Sequence, residues 1–230
     1  MCGRFVSARK RLELLEEFGV TRDRVTDEPA PDYNVAPTKR IYAVLTNKER
    51  ERELRTVKWG LVPFWAKDSS GGARLINARA ETVAVKPAFR RAFAKRRCLL
   101  PADGYYEWKN KKPFYIRRTD DGDLALAGIY ELWRDPAMPE DDEQAWLWTA
   151  AVITTQATDE VGEIHDRMPM VIVPELWDDW LDPDNTEVSQ LQAAMSPAMS
   201  GAITSYPVST DVNYVRNNGP ELIRPLPTGS

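Results

Sequence analysis

Between residues 98 and 173 the chain is a succession of short runs rich in β-branched and aromatic residues, separated by turn formers. CLLP at 98 to 101, GYYEW at 104 to 108, PFYIR at 113 to 117, LALAGIY at 124 to 130, AWLWTAAVITT at 145 to 155 and MVIV at 170 to 173 each read as a strand. Upstream, IYAVLT at 41 to 46 and ELRTVKW at 53 to 59 alternate in polarity on either side of a charged NKERER turn, the pattern of a β-hairpin. Helical periodicity is confined to short pieces. Ser7 is placed to cap a helix carrying Leu12, Leu14, Leu15 and Phe18 before Gly19 ends it. A second helix is expected from Pro87, burying Phe89 and Phe93 and displaying Arg90, Arg91, Lys95 and Arg96. ELWDDWL after Pro174 and TEVSQLQAAM at 186 to 195 complete the set. This order of elements predicts a single α+β domain over residues 1 to 217, built around a curved, mainly antiparallel sheet flanked by short helices. The tail from 218 to 230, with Pro220, Pro225 and Pro227, is expected to be loose.

No stretch reaches the roughly 18 apolar residues of a membrane span, and MCGRFVSARKR lacks the apolar centre of a secretory signal, so an intracellular monomer that does not engage membranes is expected. Two cysteines make no disulfide framework; Cys98, in Cys98-Leu99-Leu100, reads as a buried inert thiol. One histidine and two cysteines do not form a conventional zinc set, and no glycine-rich phosphate loop is present, so neither a metal nor a cofactor is expected. The net charge of -4 hides a division: residues 1 to 118 hold 27 Lys+Arg against 14 Asp+Glu, and residues 119 to 230 hold 4 against 21. KPAFRRAFAKRR at 86 to 97 carries six positive charges and no acid. It is either a solvated helix face or part of a surface for a polyanion.

Cys2 follows a methionine whose removal a small second residue permits. An amino-terminal cysteine carries an α-amine of pKa about 7.7 to 8.0 beside a thiol near 8.5. The amine can condense with an aldehyde to an imine, and the thiol can then close a five-membered thiazolidine. An internal cysteine cannot, because its nitrogen is an amide; the competing reading is a cysteine that merely stands second. Two further residues could move protons. Glu107 sits among Tyr105, Tyr106 and Trp108, where desolvation would raise its pKa, or else it lies on the wet face of a strand. The lone His165 adjoins Arg167 in IHDRMP and is either a proton carrier or structural.

MCGRF, YNVAPT at 33 to 38, WGLVPFW at 59 to 65, INARAET at 76 to 82, RRCLLPADGYYEW at 96 to 108 and IHDRMP at 164 to 169 occur in this order across most of the chain. Together they resemble the SOS-response-associated peptidase (SRAP) family of abasic-site processing proteins. The resemblance implies a β-barrel-like core and a basic groove for single-stranded DNA containing abasic sites. It implies a Cys2 crosslink to the lesion aldehyde, with Asn34 holding the amine and sugar, Glu107 shuttling protons and His165 assisting protonation, including reversal. Arg4, Asn77, Arg79 and Arg167 would grip phosphates, Phe64 and Trp65 would form a stacking wedge, and the helix from Lys86 would add backbone contacts. Some relatives carry a second aromatic after the tryptophan; Ala66 stands here. Strand cleavage from the imine would be a side reaction. A thiol peptidase acting through Cys2, and a non-catalytic single-strand-binding module, are the alternative functions.

Overall fold

The computed structural model describes residues 2 to 187, 191 and 202 to 227. In chain order its first elements are β1 (Phe5–Ser7), α1 (Arg11–Glu17), β2 (Arg22–Asp23), β3 (Asp32–Val35), β4 (Arg40–Thr46), β5 (Arg52–Trp59), β6 (Asn77–Arg79) and α2 (Arg90–Lys95). Then come β7 (Arg97–Ala102), β8 (Gly104–Lys109), β9 (Lys112–Arg118), β10 (Leu124–Arg134), β11 (Trp146–Gln156), α3 (Asp159–Gly162), β12 (Arg167–Pro169), α4 (Trp177–Leu181) and β13 (Ile203–Pro207).

The expected hairpin is β4 and β5, in antiparallel register from Arg40↔Lys58 to Thr46↔Arg52. Asn47 closes it, its side-chain oxygen accepting the Glu51 amide at 2.9 Å. β4 continues to β7, β7 to β10 and β10 to β11, all antiparallel. β11 then returns to β5 in parallel, Thr149↔Lys58 and Ala150↔Trp59, and so closes a five-stranded barrel. Closure leaves no free edge on these five strands at that level, which is how a barrel removes the liability of unpaired backbone groups.

Period-two alternation then divides each barrel strand between two apolar clusters. Leu100, Leu126, Ala150 and Val152 belong to one, with Val57 and Trp59. Leu99, Ala127, Ala151 and Ile153 belong to the other, where Leu14, Phe18, Phe93 and Trp180 cover the barrel from outside. Both faces of the central strands are therefore dry, which explains why LALAGIY and TAAVIT read as nearly unbroken apolar runs. Cys98 is fully buried, as expected, and leaves no room opposite it: a Cβ on Gly128 would lie 2.8 Å from its Sγ. A second sheet, β13-β9-β8-β1-β3, is antiparallel throughout and packs against the barrel through Phe5, Tyr105 and Ile116.

Several expectations are corrected. Ser7 caps no helix; it ends β1, opposite Asp32, because strand pairing takes its backbone. α1 begins four residues later, where the Lys10 amide donates to Glu13 Oε2 at 3.1 Å, and Leu12 is 76% exposed. Gly19 does end the helix region with a left-handed φ of 57°. α2 starts at Arg90 rather than Pro87, although Phe89 and Phe93 are buried as expected. MVIV forms an isolated bridge, Leu126↔Val171, and the strand in that region is β12. After Pro174 the chain makes a short 3-10 turn before α4. Residues 218 to 227 are tied down: Asn218 Oδ1 accepts the Tyr33 amide at 2.7 Å, Leu222 is 1% exposed and the Leu226 amide donates to Pro207 at 2.9 Å. The helix expected at 186 to 195 lies outside the described residues apart from 186, 187 and 191.

Asp123, at the start of the β10 region, is buried against Arg9, whose Nε lies 3.1 Å from its Oδ1. Burial, then the neighbouring charge of Glu17, raises its pKa to about 8. A carboxyl raised in the folded state binds more protons than in the unfolded chain, so its contribution is full below about pH 4 and is lost as pH climbs through about 8. Asp123→Asn, which removes this titration, should unfold at a denaturant midpoint that falls less than wild type's between these limits; parallel curves across the range would refute the assignment.

Candidate active site

The site is assembled where β1 runs off its sheet into the barrel seam. Phe5 pairs with Val35 on one side and Tyr105 on the other, and the Tyr106 amide donates to the Arg4 carbonyl at 3.0 Å. Upstream of this strand, Cys2 is fully buried in the cluster that holds Phe5, Trp59, Tyr105 and Met168. Its backbone is gripped from the barrel side: Asn77 Nδ2 donates to the Cys2 carbonyl at 2.8 Å. Asn77 reaches that position because β6 adds to β11 in parallel, Val152↔Asn77 and Thr154↔Arg79.

Glu107 lies on the same face of β8 as Tyr105, two residues away, and is 2% exposed. Of the two readings its sequence left open, the wet strand face is excluded. Burial raises its pKa, while the charge of nearby His165 pulls it down. The same burial, with the charge of Glu107, pushes the Cys2 thiol well above its ordinary value. Tyr105 was not among the expected functional residues. Its hydroxyl is buried without a hydrogen-bond partner among the described residues, and its pKa is raised by burial and by the charges of Cys2 and Glu107. Alternation alone, which places Tyr105 and Glu107 on one face, carried the signal.

His165 follows the α3 turn, its amide donating to Val161. Both described contacts of its ring fall on Nδ1: the Arg167 amide donates to it at 2.9 Å and Asp166 Oδ1 lies 2.8 Å away. One nitrogen cannot at once accept the first and donate to the second. The backbone bond is the fixed one, since Asp166 is 85% exposed, and it places the proton of a neutral ring on Nε2.

The expected phosphate-gripping and stacking residues divide. Arg167 is committed internally, through Glu81 at 2.5 and 3.0 Å and the Thr154 carbonyl at 2.6 Å. That bond, foremost, lowers the Glu81 pKa. Arg4 is likewise spent, NH1 donating at 2.7 Å both to Asn34 Oδ1 and to the Val212 carbonyl. Arg79 and Lys86 are exposed, without a carboxylate partner among the described residues. Phe64 and Trp65 are 48% and 59% exposed, with the Arg91 guanidinium 4.0 Å over the Phe64 ring.

Asn34 is where the geometry departs most from expectation. It is fully buried, and its Nδ2 faces the carbonyls of Val212, Tyr214 and Asn217 at 3.2, 3.1 and 3.0 Å. Its amide is consumed in holding the 212–217 turn, whereas Asn77, expected on phosphate, holds residue 2.

An α+β domain with a closed five-stranded barrel, in which a buried cysteine at position 2 lies beside a buried carboxyl and close to a histidine, is the class that the fold and the site define. A family model described as SOS response associated peptidase (SRAP) matches residues 1 to 215, and the chain belongs to that family. It is 39% identical to abasic site processing protein YoqW of Bacillus subtilis over 228 residues, 97% of this chain and 99% of that one. It is 34% identical to abasic site processing protein YedK of Escherichia coli, over 98% of this chain and 100% of the other. To abasic site processing protein HMCES of Gallus gallus it is 31% identical, over 86% of this chain and 67% of the other. A crystal structure of a protein from Bacteroides thetaiotaomicron shares the fold, with a TM-score of 0.85 at 24% identity over 98% of this chain and 100% of that one.

Removing a buried amide leaves its partners unsatisfied, at a cost of about 1–3 kcal/mol for each group stranded away from water. Asn34→Ala should therefore lower the unfolding free energy by at least about 1 kcal/mol in urea titration and expose the 212–217 turn to proteolysis. A variant as stable as wild type, with an uncut turn, would show that Asn34 does not brace it.

Proposed function

We propose that this chain processes abasic sites in single-stranded DNA and that, once Met1 is removed, Cys2 bonds covalently to the sugar aldehyde. The observation that carries this reading is the seating of residue 2, with its carbonyl held by Asn77 and its thiol enclosed beside Glu107. The names of the curated relatives point to the same class of lesion.

In this reading the amine adds to C1' of the open-chain sugar and water leaves, giving an imine. The thiol then adds across C=N: a C–S bond forms and the thiol proton passes to nitrogen. The sum is aldehyde plus aminothiol to thiazolidine plus water. Glu107, with a pKa raised by burial, is suited to lend and recover that proton. Holding residue 2 in place supplies proximity, which can be worth about 7–11 kcal/mol of barrier. The raised thiol favours an order in which the amine reacts first. It also argues against a thiol peptidase, which requires a thiolate nucleophile. His165, close enough to bias Glu107 electrostatically, would assist protonation, including the steps that reverse the bond. Arg79 and Lys86 are the exposed cations available to phosphates, and Trp65 offers a face on which a base can stack.

An abasic oligonucleotide separates the roles. Wild type should give an adduct that survives heat and detergent. Cys2→Ser should give only an imine trapped by borohydride, and protein verified by mass to retain Met1 should give neither. A stable adduct from the Met1-retaining protein would remove Cys2 from the mechanism.

Glu107→Gln should slow adduct formation by roughly 100-fold or more, the usual contribution of a positioned acid-base group, while Arg79→Ala should weaken non-covalent binding and reduce the salt slope by about one. Wild-type kinetics from the first variant, or an unchanged salt series from the second, would reject the corresponding role.

A further inference from the structure

The basic run at 86 to 97 finds only a small part in the chemistry at Cys2, and the fold carries most of it elsewhere. We propose that the open mouth of the barrel, at the Trp146 end of β11, is a second binding site that takes the undamaged single strand flanking the lesion. This rests on the reading of Cys2 as the lesion-binding residue and adds a second, separate contact region for the same strand.

At that end the barrel strands turn large side chains toward a groove of about 760 Å³. Cross-strand register sets Leu132 against Trp148 and Arg134 against Trp146, while Ala43 faces Arg55 and Leu45 faces Glu53. The Trp148 ring stacks on Tyr130, with centroids 5.5 Å apart and planes at 18°, and the Arg55 guanidinium lies 4.0 Å from its centroid. Trp146 is 47% exposed, and Phe64 lines the groove beneath Arg91.

Cations outnumber acids around these rings, where the lining carries one exposed carboxylate, Glu49. Glu53, the buried acid of the lining, is occupied by Arg55 and Asn47, and Glu131 behind it by Arg96. Arg24, Lys48, Arg91 and Lys95 of the lining have no carboxylate partner among the described residues. In a chain of net charge -4 this is a local concentration rather than a general property.

Cations spread along a groove fit a chain of phosphates better than one small anion, and the half-exposed Trp146 ring fits a base. Duplex DNA keeps its base faces stacked inside the helix, so the ligand is an unpaired strand. None of Cys2, Asn77, Glu107 and His165 lines the groove. Along β11, Trp148 stands four residues from Val152, the register partner of Asn77, a separation of ~13 Å at the usual rise of a strand. A strand stacked at ~3.4 Å per nucleotide needs several nucleotides to cover it.

The test compares Trp146→Ala/Lys95→Glu with wild type, both checked for equal melting temperature. Lys48→Glu, a change in an exposed turn, replaces the double variant if its melting temperature falls. Affinity for undamaged oligothymidylate of about 30 nucleotides, well beyond a single-module footprint, is read by anisotropy. Crosslinking rate is read on an abasic trinucleotide, too short to reach the groove. The expected result is a roughly tenfold or greater loss of affinity for the long strand with the trinucleotide rate unchanged. Unchanged affinity for the long strand overturns the proposal. So does a parallel loss on both substrates, because the groove would then not be separate from the lesion site. If wild type fails to crosslink the abasic trinucleotide while the variant still loses long-strand affinity, the Cys2 reading falls and the groove stands.

Discussion

The parallel pairing of β11 is the interaction on which the rest of the molecule hangs. Against β5 it closes the barrel. A few residues later the same edge takes up β6, which carries Asn77 to the Cys2 carbonyl and sets Arg79 beside Thr154. The antiparallel partner β12 then holds Arg167 opposite Gln156 and, through the Arg167 amide, orients the His165 ring. Three segments far apart in sequence are thus registered on one strand. Because side chains alternate with period two, a one-residue slip of β6 would turn Asn77 away from residue 2 and point its neighbour there instead. The site is as precise as this register.

Placing residue 2 inside an apolar cluster has a chemical consequence. Cys2, Tyr105 and Glu107 are all driven toward their protonated forms by burial, and each negative charge in the trio would raise the pKa of the others. Burial therefore disfavours the anionic form of each member of the trio. Such a site is poorly prepared for direct thiolate attack. The counterbalance comes from the charge of the amino terminus and, when its ring is protonated, from His165, both of which favour an ionised Glu107.

What could be read from the sequence followed from local rules. The β4–β5 hairpin was visible in its alternation and its Asn47 turn, and the barrel strands in their β-branched runs. The burial of Glu107 was half visible: its aromatic neighbours raised it, but a strand has two faces and the sequence alone does not say which is dry. What could not be read depended on distant pairing. Ser7 has the chemistry of a helix cap, yet its backbone is claimed by strand pairing across from Asp32. Asn34 and Asn77 are chemically identical. Only the parallel addition of β6 to β11 decides that one touches Cys2, and only the 212–217 turn decides that the other is consumed as a brace. The prolines after Asn217 suggested looseness because they exclude helix and strand. A short 3-10 turn at Pro220–Ile223 that buries Leu222, together with the Asn218 bonds, holds the segment.

The division of charge along the chain finds its physical meaning in the same tertiary pairing. Much of the basic first half is neutralised by the acidic second half: Arg50 meets Asp182 and Asp184, Arg52 meets Asp178, and Arg96 meets Glu131. Each pair joins segments more than 30 residues apart, and most are exposed enough to contribute at most about 1 kcal/mol. Their larger effect is on what they leave over. Once these arginines are spent, the cations without described carboxylate partners include Arg79, Lys86, Arg91 and Lys95, borne by β6, by the segment that follows it and by α2. An acidic chain can in this way carry a basic track, because binding to a polyanion is decided by the charges that remain unpaired within about a Debye length of the ligand and not by the sum over the molecule.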